Sequence, residues 1–181
     1  MALKCIIFDF DDTLVHTINL HTWCWTQAIN KIKGTNVSED FIKEKINYGI
    51  DLVFTHLGMS HSEREAAKLL KTQLFTKNLE STQPSFLVSC LDLFLVKYKV
   101  IATNASRENF ELLLNHHNID ASKFNLIVTR DDVEFRKPAP DMGVLILDKL
   151  KIKPNECAMI GDSDVDLIFS KNVGIENCII L

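Results

Sequence analysis

Ile6-Ile7-Phe8-Asp9-Phe10-Asp11-Asp12-Thr13-Leu14-Val15 sets an apolar run directly against three closely spaced carboxylates. Like charges at that spacing repel one another, and aspartates are poor strand formers. The arrangement is best tolerated where a cation or a reacting group sits among the acids. The run itself predicts a buried strand over Lys4–Phe10, so the acids leave it at its carboxyl end. In open α/β sheets, ligands bind beyond the carboxyl ends of the strands. The stretch therefore predicts a parallel-sheet protein with a metal-assisted active site and a candidate carboxylate nucleophile.

Four more apolar runs read as strands: Lys99–Thr103, Phe124–Thr129, Cys157–Ile160 and Asn177–Leu181. Helical patterns lie between the later ones, over Ser106–Asn115, Pro140–Leu150 and Asp164–Lys171. Ser106 is placed to cap its helix, and Pro140 stands at a helix entry. This alternation implies βαβ units and a parallel sheet. The segment from Asn19 to Thr82 breaks the rhythm with three helical patterns, Leu20–Ile32, Ser38–Tyr48 and Ser62–Asn78. Ser38/Glu39 and Ser62/Glu63 resemble helix starts. Pro84–Val96 then reads as a core helix leading back to the sheet. The expected fold is α/β: a Rossmann-like parallel-sheet core from 1–18 and 83–181, with a small α-helical cap over 19–82. An insert at the mouth of a site is well placed to act as a lid.

The chain has 181 residues, a formal net charge of −4, 46% hydrophobic and 24% charged residues. This is ordinary globular composition, enough for one full core or a core and a small appendage. It carries no basic run of the kind nucleic acid attracts, so no nucleic-acid partner is expected. The N-terminal apolar run is too short for a membrane span and ends in acids, so neither a membrane partner nor a signal peptide is expected. The five cysteines (Cys5, Cys24, Cys90, Cys157, Cys178) form no Cys-x-x-Cys pair, which points to buried thiols in the reducing cytoplasm. His16, His21, His56, His61, His116 and His117 show no helical ligand spacing. His56 and His61 read as loop residues near Gly58, and Trp23 and Trp25 as packing of the cap.

Polar residues stand at four strand ends. The first strand ends in Asp9-Phe10-Asp11-Asp12-Thr13, and the second in Thr103-Asn104. Arg136-Lys137-Pro138 follows the third, and Gly161-Asp162-Ser163-Asp164-Val165-Asp166 ends the fourth. In adjacent parallel strands these groups converge on one edge. Phosphoryl transfer uses such parts. A carboxylate nucleophile splits one hard step into two through an aspartyl-phosphate. Mg²⁺ suits oxygen ligands and screens carboxylate from phosphate. Thr103, Lys137 and backbone N–H groups can hold phosphate oxygens. An acid two residues beyond the nucleophile can protonate the leaving group and then activate water.

The four segments in this order resemble the haloacid dehalogenase superfamily of phosphohydrolases: DxDxT, hydrophobic-Thr, Lys-Pro and GDxxxD. The helical insert resembles the family's small cap, as in phosphoglycolate-phosphatase-like and β-phosphoglucomutase-like members. The resemblance implies Asp9 as nucleophile and metal ligand. It implies Asp11 as general acid/base, with its backbone carbonyl on the metal, and Thr103 as a phosphate contact with Asn104 beside it. Lys137 would pair with phosphate and Asp9, Asp162 would be a metal ligand, and Asp166 would support a metal water or orient Lys137. Asp12 and Thr13 are expected to shape the turn, and Asp164 to cap or face solvent.

The implied activity is Mg²⁺-dependent hydrolysis of a small phosphorylated metabolite, such as phosphoglycolate, a sugar phosphate or a nucleotide. A phosphosugar mutase is an alternative, since it returns the same phosphoryl group to a bound sugar. A non-hydrolytic phospho-acceptor signalling domain is a second alternative. A dehalogenase has no use for Asp11, and no context marks Lys31, Lys33, Lys43 or Lys45 as a Schiff-base lysine. The last strand ends the chain at Leu181, and weak self-association through its exposed edge is expected.

Overall fold

The computed structural model describes residues 2–46 and 49–181. In chain order its strands and α-helices are β1 (Cys5–Phe8), β2 (Val15–His16), α1 (Ile18–Lys33), α2 (Glu39–Ile46), α3 (Ile50–His56), α4 (His61–Lys77), β3 (Gln83–Pro84), α5 (Phe86–Cys90), β4 (Tyr98–Ala102), α6 (Arg107–His116), β5 (Leu126–Val128), α7 (Asp141–Leu150), β6 (Cys157–Gly161), α8 (Asp164–Val173) and β7 (Asn177–Ile180). The chain divides into two compact units, 1–16 with 83–181, and 17–82.

The first unit is built on a five-stranded sheet in the order β5-β4-β1-β6-β7. Every pairing in it is parallel. β1 is central, and all four of its residues are buried, which is why it reads as continuous rather than alternating hydrophobicity. One face carries Cys5, Ile7, Val100 and Met159 in a common core with Met142 and Ile146 of α7 and Phe169 of α8. Phe8, pointing the other way, meets Phe94 and Phe124 edge-on, with ring centroids 5.3 and 6.4 Å apart. Phe8 pairs in register with Ile101 of β4 and Ile160 of β6. The residues that follow each strand therefore leave the sheet at one level.

β1 stops two residues before the predicted Phe10. Asp9 N–H still bonds the Ile160 carbonyl at 2.9 Å, but the Phe10 carbonyl turns to accept from Leu14 and Val15 N–H, at 2.9 and 3.0 Å. That turn is closed by Asp12, whose φ of 57° is left-handed, a region aspartate tolerates better than most residues. β2 and β3 form a short antiparallel pair. The Ser85 hydroxyl donates to the Thr13 carbonyl at 2.6 Å beside this pair, fastening the loop after β1.

The helix expected over Pro84–Val96 is not continuous. It breaks into β3, α5 and a 3₁₀ turn at Leu91–Leu93. Val88 N–H bonds the Ser85 carbonyl in a tight i to i+3 pattern, and the Ser89 hydroxyl takes the Phe86 carbonyl at 2.6 Å. Side-chain competition of this kind favours short turns over helix. Leu93 and Leu95 are left exposed. The outer strand β7 also exposes Ile179 and Ile180, as does Leu181 beyond it.

The second unit is helical, with Ala28, Ile29, Ile42, Val53, Phe54 and Ala67 as its core. α1 ends at Gly34, whose φ of 68° supplies the left-handed cap. α4 begins at His61, one residue before the expected Ser62, with Ser60 as its cap. The Ser60 hydroxyl accepts from Glu63 N–H, and the Glu63 carboxylate accepts from Ser60 N–H at 2.7 Å, a reciprocal capping box. Ser38 caps α2, accepting from Phe41 N–H at 3.2 Å. The end of the helix expected over Ser38–Tyr48 lies outside the described residues. α3 was not predicted, and it takes His56 out of the loop expected there. Seven residues are too few for a clear helical period, and burial of Val53 and Phe54 is what holds them. Trp25 packs edge-on against Phe54 at 5.7 Å. Among the described residues no helix is long and apolar enough to cross a membrane. All five thiols are free, and Cys5, Cys24 and Cys157 are buried.

Gly143 of α7 lies against Val173 of α8 so closely that a Cβ would overlap the valine side chain. Gly143→Leu is therefore expected to lower stability by roughly 1–3 kcal/mol through overpacking, read as a drop in the urea midpoint with an unchanged m-value.

Candidate active site

The parallel register delivers Asp9, Thr103 and Asp162 just past the ends of β1, β4 and β6. Lys137 arrives from the loop between β5 and α7, and Asp166 from the first turn of α8. Lys137 is 3% exposed, and its ammonium is paired. It sits 2.8 Å from Asp9 Oδ1 and 2.6 Å from Asp166 Oδ1. Carboxylate oxygens of Asp9, Asp162 and Asp166 all lie within 4.8 Å of one another. Burying an ammonium demands such pairing, since a lone charge removed from water is too costly.

Asp166 does more than hold the lysine. Its other oxygen accepts from the Ser163 hydroxyl at 3.0 Å and from Asp162 N–H at 3.3 Å. It packs so closely on Gly161 that any Cβ there would overlap the carboxylate. Glycine at the end of β6 is thus a requirement of the Asp166 position. Ser163 and Gly161 were not singled out as site residues from sequence. Ser163 carried a signal, a hydroxyl three positions before a buried acid. Asp164 is exposed at the start of α8.

Thr103 is fully buried. Its backbone N–H bonds the Val128 carbonyl at 3.0 Å and its hydroxyl oxygen accepts from Ala105 N–H at 3.0 Å. Asn104 donates its amide to the Lys137 carbonyl at 2.9 Å. Its Oδ1 is buried without a hydrogen-bond partner among the described residues. The Lys137–Pro138 peptide is cis. Asp11 is half-buried and adds negative charge around Asp9.

One ammonium serves several carboxylates, and the titrations reflect it. Burial pushes Asp9 well above the ordinary carboxylate range; Lys137 opposes this, while Asp166 and Asp11 add like-charge repulsion. Burial alone would lower Lys137, but Asp9 and Asp166 outweigh it and hold the ammonium above its usual value. Burial, Asp166 and Asp12 raise Asp162 to about 6. The cluster is short of positive charge and offers only oxygen donors, which is the chemistry of a hard divalent cation site.

The sequence model of the haloacid dehalogenase-like hydrolase family matches residues 6–180. The chain belongs to that family. Among curated relatives it is 25% identical over 177 residues to pyrophosphatase PpaX of Bacillus mycoides, covering 96% of this chain and 81% of the relative. Among solved structures it resembles a protein assigned as a phosphoglycolate phosphatase from Lactobacillus plantarum. That match has a TM-score of 0.82 and 20% identity over 97% of this chain and 84% of the other. A protein assigned as a β-phosphoglucomutase from Thermotoga maritima matches with a TM-score of 0.70 and 19% identity, over 97% and 84% of the two chains. At these identities the structural matches speak for the fold. The α/β core with a Rossmann-like parallel sheet is therefore as the sequence predicted.

Because Asp162 titrates higher in the folded chain than in the unfolded one, its ionised form weakens the fold. That loss is absent below the unfolded carboxylate value, grows as pH rises toward about 6, and is complete above it. In metal-free protein, Asp162→Asn should raise the melting temperature by a few degrees at pH 7.5. The gain should shrink steadily toward pH 4. Thermal scans in EDTA across that range check it, and a gain that grows on acidification contradicts it.

Proposed function

We propose that this hydrolase is a Mg²⁺-dependent phosphatase that cleaves a small phosphomonoester through an aspartyl-phosphate on Asp9. The observation that carries the reading is the Lys137 ammonium bridging Asp9 and Asp166, with Asp162 in the same oxygen-only cluster. Asp9, the Asp11 backbone carbonyl and Asp162 would hold Mg²⁺, with Asp166 supporting from behind Lys137. When bound, the ion neutralises charge between carboxylate and phosphate.

The steps belong to the side chains. Asp9 attacks phosphorus and the ester oxygen leaves, receiving a proton from Asp11. Lys137 stabilises charge on the transferring oxygens while staying paired with Asp9. The Thr103 hydroxyl oxygen accepts from Ala105 N–H, which leaves its proton for a phosphate oxygen in this reading. Asp11, now a carboxylate, takes a proton from water, and the resulting hydroxide attacks phosphorus. Phosphate leaves and Asp9 is restored. The low-dielectric setting of Lys137 and Thr103 strengthens each contact.

Similarity to a pyrophosphatase and fold likeness to a protein assigned as a phosphoglycolate phosphatase support a small anionic phosphate compound as substrate, and five free thiols fit an enzyme that meets it in the cytoplasm. The likeness to a protein assigned as a β-phosphoglucomutase keeps phosphoryl return to a sugar as a second reading.

With p-nitrophenyl phosphate, wild-type protein should release phosphate only when Mg²⁺ is present, and Asp9→Asn should lose at least a thousandfold in kcat. Retained turnover in Asp9→Asn sinks the covalent mechanism. Across a panel of pyrophosphate, phosphoglycolate, sugar phosphates and nucleotides, kcat/KM ranks the substrates. Isomerised sugar phosphate without net phosphate release would establish the mutase instead.

A further inference from the structure

Lys137 is held at its head by carboxylates, and the loop that carries it is held at its root by carboxamides. Asn104 donates to the Lys137 carbonyl at 2.9 Å, and Asn172 donates to the next carbonyl, that of Pro138, at 2.8 Å. Asn172 lies on α8, the helix that also supplies Asp166, whose carboxylate takes the ammonium at 2.6 Å. One helix thus grips the charged tip of the lysine through Asp166 and the backbone of the next residue, Pro138, through Asn172.

We propose that Asn172 is a positioning residue for Lys137, a role separate from the family motifs read above. The inference rests on the phosphatase reading for its catalytic meaning, and on geometry alone for the clamp. A lysine side chain has four rotatable carbons and no fixed geometry of its own. Its ammonium stays between Asp9 and Asp166 only if the Cα is also held. Asn104 braces that backbone from the β4 side and Asn172 from the α8 side. With the α8 brace gone, the loop at Pro138 loses a bond that neither Asp166 nor Asp9 can replace. A displacement of an ångström at a reacting group is costly in rate. Asn172 is itself exposed, so its substitution leaves the core intact and isolates the effect on the loop.

The test compares wild type with Asn172→Ala and Asn172→Asp, the second matching the size but lacking the donor. Lys171→Ala, the exposed neighbour, serves as the control. Each protein is treated briefly with acetic anhydride, and acetylation of each lysine is quantified by peptide mass spectrometry. Both Asn172 variants should acetylate Lys137 several-fold faster. The buried Lys71 should stay at its wild-type rate, and Lys171→Ala should behave as wild type. In parallel, kcat/KM for p-nitrophenyl phosphate with Mg²⁺ should fall about tenfold in both Asn172 variants. Wild-type labelling of Lys137 in both variants overturns the clamp, as does faster labelling of Lys71 as well, which marks general loosening. Faster Lys137 labelling with unchanged kcat/KM overturns the catalytic role. A wild-type protein without turnover would sink the phosphatase reading, while the labelling still decides the clamp.

Discussion

A buried ammonium shared by two carboxylates is the constraint around which the core is arranged. Lys137 cannot be buried without Asp9 and Asp166, and those acids, with Asp162, cannot be crowded together without positive charge. The imbalance is one-sided, because one lysine faces more acids than it can neutralise. That deficit pushes Asp9 and Asp162 upward and leaves the cluster suited to a further cation. Stability is spent here on chemistry: like charges held close, a glycine required at position 161 and a left-handed aspartate at position 12.

The sheet makes that crowding possible. Four residues of β1 are paired on both sides, so β4 and β6 are locked in register with it. A slip by one residue would turn Phe8 out of its aromatic contacts and carry Asp9 to the other face. The same hydrophobic pairing that stabilises the core therefore sets where the chemistry occurs. Lys137 is not on a strand, and its loop depends on hydrogen bonds from Asn104 and Asn172 rather than on the sheet.

The helical unit is a different kind of object. Its core of Ala28, Ile29, Ile42, Val53, Phe54 and Ala67 is separate from that of the sheet. The excursion of the chain into it begins and ends next to the β2–β3 pair. Ser85 ties the returning chain to the loop after β1. An insertion of some sixty residues thus returns beside its point of departure, and closure over such a length costs little more than over a shorter one.

Local signals were enough for part of this. The apolar run before Asp9, the Gly161-Asp162 turn and the Lys137-Pro138 pair each announce themselves through residue type and spacing, and so did the parallel sheet. The helix start marked by Ser106 follows from local hydrogen bonding. The sequence did not show that Pro84–Val96 would break, because Ser85 and Ser89 divert backbone hydrogen bonds that a periodic pattern assumes are helical. It hid α3, which is too short to carry a period and exists because Val53 and Phe54 are buried. Nor did it show that α8 would reach back to both Lys137 and Pro138. Those contacts join residues about thirty positions apart. Spacing along the chain determined which groups were available. Only the packing of α8 against the sheet decided which of them meet, because a hydrogen bond requires three-dimensional proximity that no local pattern encodes.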